Sequence, residues 1–281
     1  MNIGCFKLSD FADSDKIIEI KSEFVDQGIV KVSGLFNEAQ LEQPIQDLLA
    51  VISDWSNTTN LPNDPDEAFN LLCKNNVKSA DIALRIAKDL PSFQSLISNQ
   101  NLHSVIGHLL GEKYLLSPFD WSLFRIDGES TKVSHFEWHQ DYQYNVISTN
   151  AVTFWIALRD VEHDMGPLKF VPKSHNKIHA IHKETEVEAN NPNRIRIVKN
   201  DEFEQLVLNQ TDAGVIKKGE CILFNTLLLH ASGINKSEKY RWVANGRYAP
   251  ANDKELMARD FYMARTKYPR FFESAHQDLV N

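Results

Sequence analysis

The stretch Trp138-His139-Gln140-Asp141 decides how this sequence is interpreted. A histidine and a carboxylate two residues apart can both reach one metal ion if a strand ends there and the chain begins to turn. A distant histidine, His230, ends an apolar run, and Arg241 follows eleven residues later. Two histidines and one carboxylate form the facial triad of non-haem Fe(II) sites, which keeps coordination positions open. The pattern favours a metal site; the alternatives are a surface turn for His139 and Asp141 and a buried core residue for His230.

The composition is that of an ordinary globular protein. The 281 residues are 42% hydrophobic and 24% charged, with a net charge of -8. This acidic balance argues against nucleic acid and anionic membranes as partners, and no apolar run is long enough to span a bilayer. Three distant cysteines, Cys5, Cys73 and Cys221, predict neither a disulfide framework nor a thiolate zinc site. Because the first residues also lack the pattern of a signal peptide, we expect a cytoplasmic protein, either a monomer or a homodimer.

Helical periodicity marks the first part of the chain and short strands mark the second. Apolar spacing predicts helices over 14–27 and 38–53, with two or three more up to residue 112. From about 113 to 250, short strand patterns alternate with turns that contain glycine, which is typical of a sandwich or barrel. No linker interrupts the chain, so we expect a single domain over 1–281. The predicted strands are 114–117, 121–127, 133–138, 151–158, 168–171, 194–198, 214–216, 221–225, 227–231 and 241–248.

One segment, 176–212, is rich in charge and asparagine. Glu184, Glu186 and Glu188 lie in it. A long segment of this composition is typical of a solvated excursion over the surface, and the alternative is a lid over a binding pocket.

Four blocks of sequence resemble one family in order and in spacing. They are Trp138-His139-Gln140-Asp141, the strand pattern 151–158, the segment that begins with Gly166-Pro167 and ends at His175, and the segment from His230-Ala231-Ser232 to Arg241. Together they resemble the phytanoyl-CoA dioxygenase family of Fe(II)- and 2-oxoglutarate-dependent oxygenases, over about residues 15 to 250. The resemblance implies a mainly β fold with helices: a double-stranded β-helix (jelly-roll, cupin-like) core with N-terminal helices packed on one sheet.

The resemblance also implies the reaction. His139, Asp141 and His230 would hold Fe(II), with 2-oxoglutarate as co-substrate, dioxygen as oxidant and ascorbate as a stimulant. We expect hydroxylation of an unactivated C–H bond in a small polar metabolite. The alternatives are a non-catalytic jelly-roll that binds a small molecule, and a hydroxylase of an acyl-CoA or carrier-bound substrate.

Further residues acquire expected roles from the resemblance. Arg241 would hold the far carboxylate of 2-oxoglutarate, because a guanidinium bonds a carboxylate bidentately and stays charged. Ser232 would add a hydroxyl donor. Thr153 and Trp155 fall on one face of a strand that lines the co-substrate site, with core packing as the alternative.

The expected substrate wall lies around the open side of the metal. Arg125 precedes the metal pair on a strand, where a solvated strand edge is the alternative. Tyr142, Gln143 and Tyr144 directly follow Asp141 and offer hydrogen-bonding groups. The remaining histidines near these blocks are expected to be structural or exposed, namely His163, His175, His179 and His182.

Overall fold

The N-terminal helices begin and end where the sequence supplies caps. The computed structural model describes residues 3–118, 122–128, 131, 136–183, 197–261 and 271–281. In it, the Asp13 side chain accepts hydrogen bonds from the first backbone N–H groups of helix α1 (Ser14–Gln27). Asn37 does the same for α2, and Gly28 ends α1 with a φ of 79°, as short polar residues and glycine do at helix ends. The helices are α1 (Ser14–Gln27), α2 (Glu38–Ser56), α3 (Pro65–Asn75), α4 (Ser79–Ile86), α5 (Pro91–Ile97) and α6 (Gln100–Leu110).

The strands form two sheets. They are β1 (Gly4–Lys7), β2 (Ile29–Ser33), β3 (Leu115–Leu116), β4 (Leu123–Asp127), β5 (Val152–Ala157), β6 (Lys169–Phe170), β7 (Thr211–Asp212), β8 (Cys221–Asn225), β9 (His230–Ala231) and β10 (Arg241–Pro250). The large sheet has seven strands in the order β1-β2-β8-β5-β10-β3, and β4 also pairs with β10. The small sheet has three strands in the order β7-β6-β9.

The two faces of the large sheet pack against different partners. On the outer face, Phe154 and Trp242 join a core cluster with apolar residues of the helices. On the inner face, Trp155 and Val243 join a second cluster that includes Phe170 of the small sheet. Successive side chains of a strand point to opposite faces, so each strand serves both cores. This arrangement confirms the predicted jelly-roll core with helices packed on one sheet.

Several strands are shorter than predicted, β8 matches its prediction, and β10 extends two residues beyond it, to Pro250. Four helices, α3 to α6, lie between α2 and residue 112, where two or three were predicted. Within the predicted excursion 176–212 the structure has a helix over Asp201–Leu208; Glu184, Glu186 and Glu188 lie outside the described residues, as do parts of the predicted strands 121–127, 133–138 and 194–198. Helical residues outnumber strand residues in the described part of the chain.

None of the helices that the structure describes is long and apolar enough to cross a bilayer.

Candidate metal centre

A backbone bridge brings the two distant histidines together. His139 N–H donates to the His230 carbonyl at 2.9 Å, and His230 N–H donates back at 3.0 Å. The imidazole ring centroids are then 4.2 Å apart. Asp141 follows in a 3-10 turn, and its Oδ1 lies 3.6 Å from His139 Nε2 and 4.0 Å from His230 Nε2. Among the described residues, these three form the group whose ligand atoms all lie within 4.8 Å of one another.

The protonation of both histidines suits a metal ion. His139 Nδ1 lies 2.7 Å from the Glu137 carbonyl, and His230 Nδ1 lies 2.9 Å from the Leu228 carbonyl. Because a carbonyl only accepts, each Nδ1 donates a hydrogen bond to it, which leaves Nε2 as the ring nitrogen that faces Asp141 and can bind a metal. Burial, with the neighbouring His139, lowers the pKa of His230 to about 3. The donor set therefore fits a divalent ion such as iron(II).

Asp141 is held as a carboxylate by donors from the large sheet. Thr153 Oγ1 donates to its Oδ2 at 2.7 Å. Arg247 donates from Nε to Oδ2 at 3.2 Å and from Nη2 to Oδ1 at 2.8 Å. Burial disfavours the charged carboxylate, but Arg247 and the two histidines hold the pKa of Asp141 well below its usual range. A ligand that stays ionised needs no proton loss before it binds a metal.

A second charged cluster lies on the same face of the sheet. Asp127 of β4 faces Arg241 of β10 across the strand pair, and its Oδ2 accepts from Arg241 Nε at 3.1 Å and Nη2 at 2.8 Å. Its Oδ1 accepts from Arg125 Nη2 at 3.0 Å. Arg241 Nη1 donates to the carbonyls of Met165, Gly166 and Gly233. The structure thus joins Arg125, which was expected to meet the substrate, to Arg241 through one shared carboxylate.

The other expected co-substrate residues are buried on the inner side. Trp155 lies opposite Asn245 in the β5–β10 pair, and Ser232 is buried two residues past His230. The Thr153 hydroxyl donates a hydrogen bond to the Asp141 carboxylate. The Asn245 Oδ1 atom is buried and has no hydrogen-bond partner among the described residues. A buried polar atom of this kind costs free energy unless something bonds it.

The three residues after Asp141 have different surroundings in the structure. Tyr142 packs in a hydrophobic cluster with Phe272, and its hydroxyl lies 3.0 Å from His276 Nε2. Gln143 Nε2 donates to the His179 carbonyl at 3.0 Å. The Tyr144 ring centroid lies 5.5 Å from that of His139. Of these three, Tyr144 is the one that the structure places beside the metal-ligand group.

Sequence reasoning did not find the roles of Asp127 and Arg247. Both form pairs with residues more than a hundred positions away, which no local pattern reveals. The order Arg125-Ile126-Asp127 could have indicated the position of Asp127, because alternation along a strand puts Arg125 and Asp127 on the same face. A pair of opposite charges on an inner face indicates a buried ion pair.

Comparison with known proteins agrees with this geometry. The sequence pattern of the family described as phytanoyl-CoA dioxygenase (PhyH) matches residues 24–243, which is most of the chain. The chain belongs to this family of Fe(II)- and 2-oxoglutarate-dependent oxygenases. No curated protein matches the sequence significantly.

Solved structures share the fold at low sequence identity. EctD from S. alaskensis with bound Fe is 17% identical, with a TM-score of 0.57 over 83% of this chain and 76% of that one. The epimerase SnoN, in complex with Fe3+, alpha ketoglutarate and nogalamycin RO, is 15% identical, with a TM-score of 0.56 over 85% of each chain. The ThoJ–Ni complex, a non-heme monooxygenase, is 16% identical, with a TM-score of 0.54 over 88% of this chain and 79% of that one.

Proposed function

We propose that His139, Asp141 and His230 hold the catalytic iron of this oxygenase. The observation that carries the proposal is the convergence of one ligand atom from each of His139, Asp141 and His230, all within 4.8 Å of one another. Bound iron would supply the activation of dioxygen, with 2-oxoglutarate decarboxylated to succinate, for the oxidation of a C–H bond. The chain's own residues bind and orient the reactants and keep water out of a buried site.

The Arg125–Asp127–Arg241 cluster is our proposed site for the far carboxylate of 2-oxoglutarate. Arg125 and Arg241 both donate to the Asp127 carboxylate, so two guanidinium groups lie close together on the inner face of the sheet. A guanidinium forms charge-assisted hydrogen bonds with a carboxylate, and the far carboxylate of the co-substrate would use this property. Ser232, Trp155 and Thr153 are proposed to line the same pocket.

The proposed primary substrate is a small polar metabolite that the enzyme hydroxylates. Tyr144 lies beside His139, and Arg125 lies over the Phe136 ring, which is itself 5.8 Å from the His139 ring. Asn245 is on the same face of β10 as Arg241 and Arg247, and its buried Oδ1 has no partner among the described residues. A hydrocarbon chain could not supply that oxygen with a donor, at a cost in free energy. EctD has been solved with 2-oxoglutarate and the small polar molecule 5-hydroxyectoine, which is consistent with this class. The cytoplasmic location, the monomer or homodimer, the lack of a nucleic-acid partner and the stimulation by ascorbate stay predictions.

The test of the metal site is substitution of each ligand. We expect His139→Ala, Asp141→Ala and His230→Ala each to lose succinate formation in the presence of iron(II), with folding checked by circular dichroism. His163→Ala is the matched control, because His163 is exposed and outside the site. Near wild-type succinate formation by any one ligand variant would remove that residue from the proposed set.

The test of the substrate class compares small polar metabolites with acyl-CoA esters as stimulants of succinate release. Stimulation by the polar compounds, weakened in Arg125→Ala, is the expected result. Strong stimulation by a long-chain acyl-CoA that Arg125→Ala does not change would favour the alternative hydroxylase. Absence of succinate with every compound would favour the non-catalytic binding protein.

A further inference from the structure

The two oxygens of Asp141 have different surroundings. Oδ2 accepts two hydrogen bonds, from Thr153 Oγ1 at 2.7 Å and from Arg247 Nε at 3.2 Å. Oδ1 accepts one, from Arg247 Nη2 at 2.8 Å. Oδ1 is also the oxygen that lies 3.6 Å and 4.0 Å from the histidine Nε2 atoms.

The lone pairs of the carboxylate make this difference significant. An ionised carboxylate has about four acceptor sites, two on each oxygen. Both sites on Oδ2 are used by the protein. Oδ1 keeps one site, and this oxygen is the one near the imidazoles.

We propose that Thr153 and Arg247 are positioning residues that restrict Asp141 to metal coordination through Oδ1 alone. The inference rests on the proposed iron site. A facial triad leaves coordination positions open, and 2-oxoglutarate and dioxygen would need those positions. A second oxygen of Asp141 at the metal would compete with these reactants.

The scaffold around the two positioning residues is rigid. Thr153 and Arg247 are directly opposite each other in the β5–β10 pair, and both are buried. Thr153 also pairs with Phe224 of β8, and Arg247 lies between the parts of β10 that pair with β4 and with β3. Asp141, in contrast, lies in a 3-10 turn. The sheet therefore fixes the orientation of a ligand whose own backbone segment is short and irregular.

Arg247 has a further effect, because it carries charge. Without a metal ion, its guanidinium balances the buried Asp141 carboxylate, which would otherwise be costly. The hydrogen bonds from Arg247 and Thr153 then orient the carboxylate before a metal arrives.

The test uses two variants that keep size or charge while removing the contacts on Oδ2. Thr153→Val is nearly isosteric and removes the hydroxyl. Arg247→Lys keeps the charge, but a single ammonium cannot reproduce the planar fork on both oxygens. The matched controls are Thr226→Val, a buried threonine whose hydroxyl has no described partner, and Arg159→Lys in a surface ion pair.

The measurements are calorimetric titrations of each protein with Ni(II), then of each Ni(II)-loaded protein with 2-oxoglutarate. In Thr153→Val and Arg247→Lys we expect the Ni(II) Kd to change by less than about threefold, while the 2-oxoglutarate Kd rises about tenfold, which is roughly 1.4 kcal/mol. A crystal structure of the Ni(II)-loaded double variant should show both Asp141 oxygens at the metal. The controls should match the wild type in both titrations.

The outcomes separate this inference from the function on which it rests. Unchanged 2-oxoglutarate affinity in both variants, with Asp141 still bound through one oxygen, overturns the positioning role. A parallel loss of Ni(II) and 2-oxoglutarate affinity also overturns it, because that would indicate general damage to the site. If wild-type protein loaded with Ni(II) bound no 2-oxoglutarate, the proposed function itself would fail, and the inference with it.

Discussion

Arg241 is surrounded by acceptors of the protein itself. One edge of its guanidinium lies on Asp127, and Nη1 donates to three backbone carbonyls. Its side chain is 4% exposed. An arginine with this many contacts is fixed in position, so a carboxylate that binds there meets a charge that needs no reorganisation.

We expect Arg241→Ala to weaken 2-oxoglutarate binding by about thirtyfold, since a charge-assisted hydrogen bond contributes roughly 2 kcal/mol. The measurement is the Kd of the metal-loaded protein for 2-oxoglutarate. Pyruvate is the matched ligand, because it has the same 2-oxo acid end and no far carboxylate. Its Kd should change little in the variant. An equal loss for both ligands would mean that Arg241 supports the fold and does not read the far carboxylate.

His179 provides a prediction about pH. Burial, with Lys177 nearby, lowers the pKa of its imidazole to about 4 from the ordinary 6.5, and its Nε2 has no described partner. The folded protein keeps this ring neutral, while the unfolded chain protonates it below about pH 6.5. The free energy of unfolding therefore falls as the pH drops from 6.5 to 4, by about 1–3 kcal/mol.

The variant His179→Gln should lose less stability than the wild type over this pH range, as measured by urea unfolding of metal-free protein at pH 7 and pH 4.5. His163→Gln, at an exposed position, is the control and should follow the wild type. Identical pH dependence in all three proteins would exclude His179 as the source.

At the scale of elements, two glycine turns touch behind Arg241. Gly166 has a φ of 67°, and a Cβ built on it would lie 2.5 Å from the carbonyl carbon of Gly233. The carbonyls of both glycines accept from Arg241 Nη1. The close approach of these turns therefore fixes the acceptors that hold Arg241.

We expect Gly166→Ala to separate the two turns, with a loss of stability of about 2–4 kcal/mol from strain and overpacking and a raised KM for 2-oxoglutarate. The matched control is Gly214→Ala. Gly214 has nearly the same φ of 65°, but a Cβ there meets nothing within 4 Å. The Gly214→Ala variant should lose only the stability that a side chain costs at positive φ, and its KM for 2-oxoglutarate should be unchanged. Equal effects of the two variants would mean that the turn contact does not hold Arg241 in place.

The elements also show what sequence can reveal. His139, Asp141 and His230 were predicted from their order and context. The alternation of a strand also explains why Arg241 and Arg247 lie on the same face of β10. The pairing of Arg247 with Asp141 depends on how a turn folds over the sheet, which no periodicity encodes. The sequence also does not show that adjacent residues have different surroundings here. Asp141 is one of the three metal-ligand residues, while Tyr142 packs in a hydrophobic cluster.

At the scale of the whole molecule, helices and sheet share one core. The outer-face residues Phe154 and Trp242 lie in the same cluster as Ile45, Phe69 and Phe93 of the helices. Apolar side chains of this size stabilise by roughly 1.5–3 kcal/mol each when buried. The helices therefore cover a face that would otherwise be an apolar surface. The single domain over 1–281 stays a prediction.

We expect the fragment 113–281, expressed alone, to aggregate, because the outer face of its sheet loses its cover. The full chain should unfold in one cooperative transition when followed by both circular dichroism and tryptophan fluorescence. A monomeric fragment with its own cooperative transition would divide the chain into two domains.

Strand β10 fixes the spacing between Arg241 and Arg247. It pairs with β4 over Arg241–Asn245 and with β5 over Val243–Tyr248, so it is clamped on both sides. Arg241 and Arg247 lie six residues apart on it, which is about 20 Å of backbone at the rise of a strand. In the proposed site this fixed length separates the charge that holds the far carboxylate from the charge that holds the metal ligand. Selection between dicarboxylates of different chain length would then be set by the backbone, and the loss of one residue from β10 would turn one of the two arginines to the opposite face.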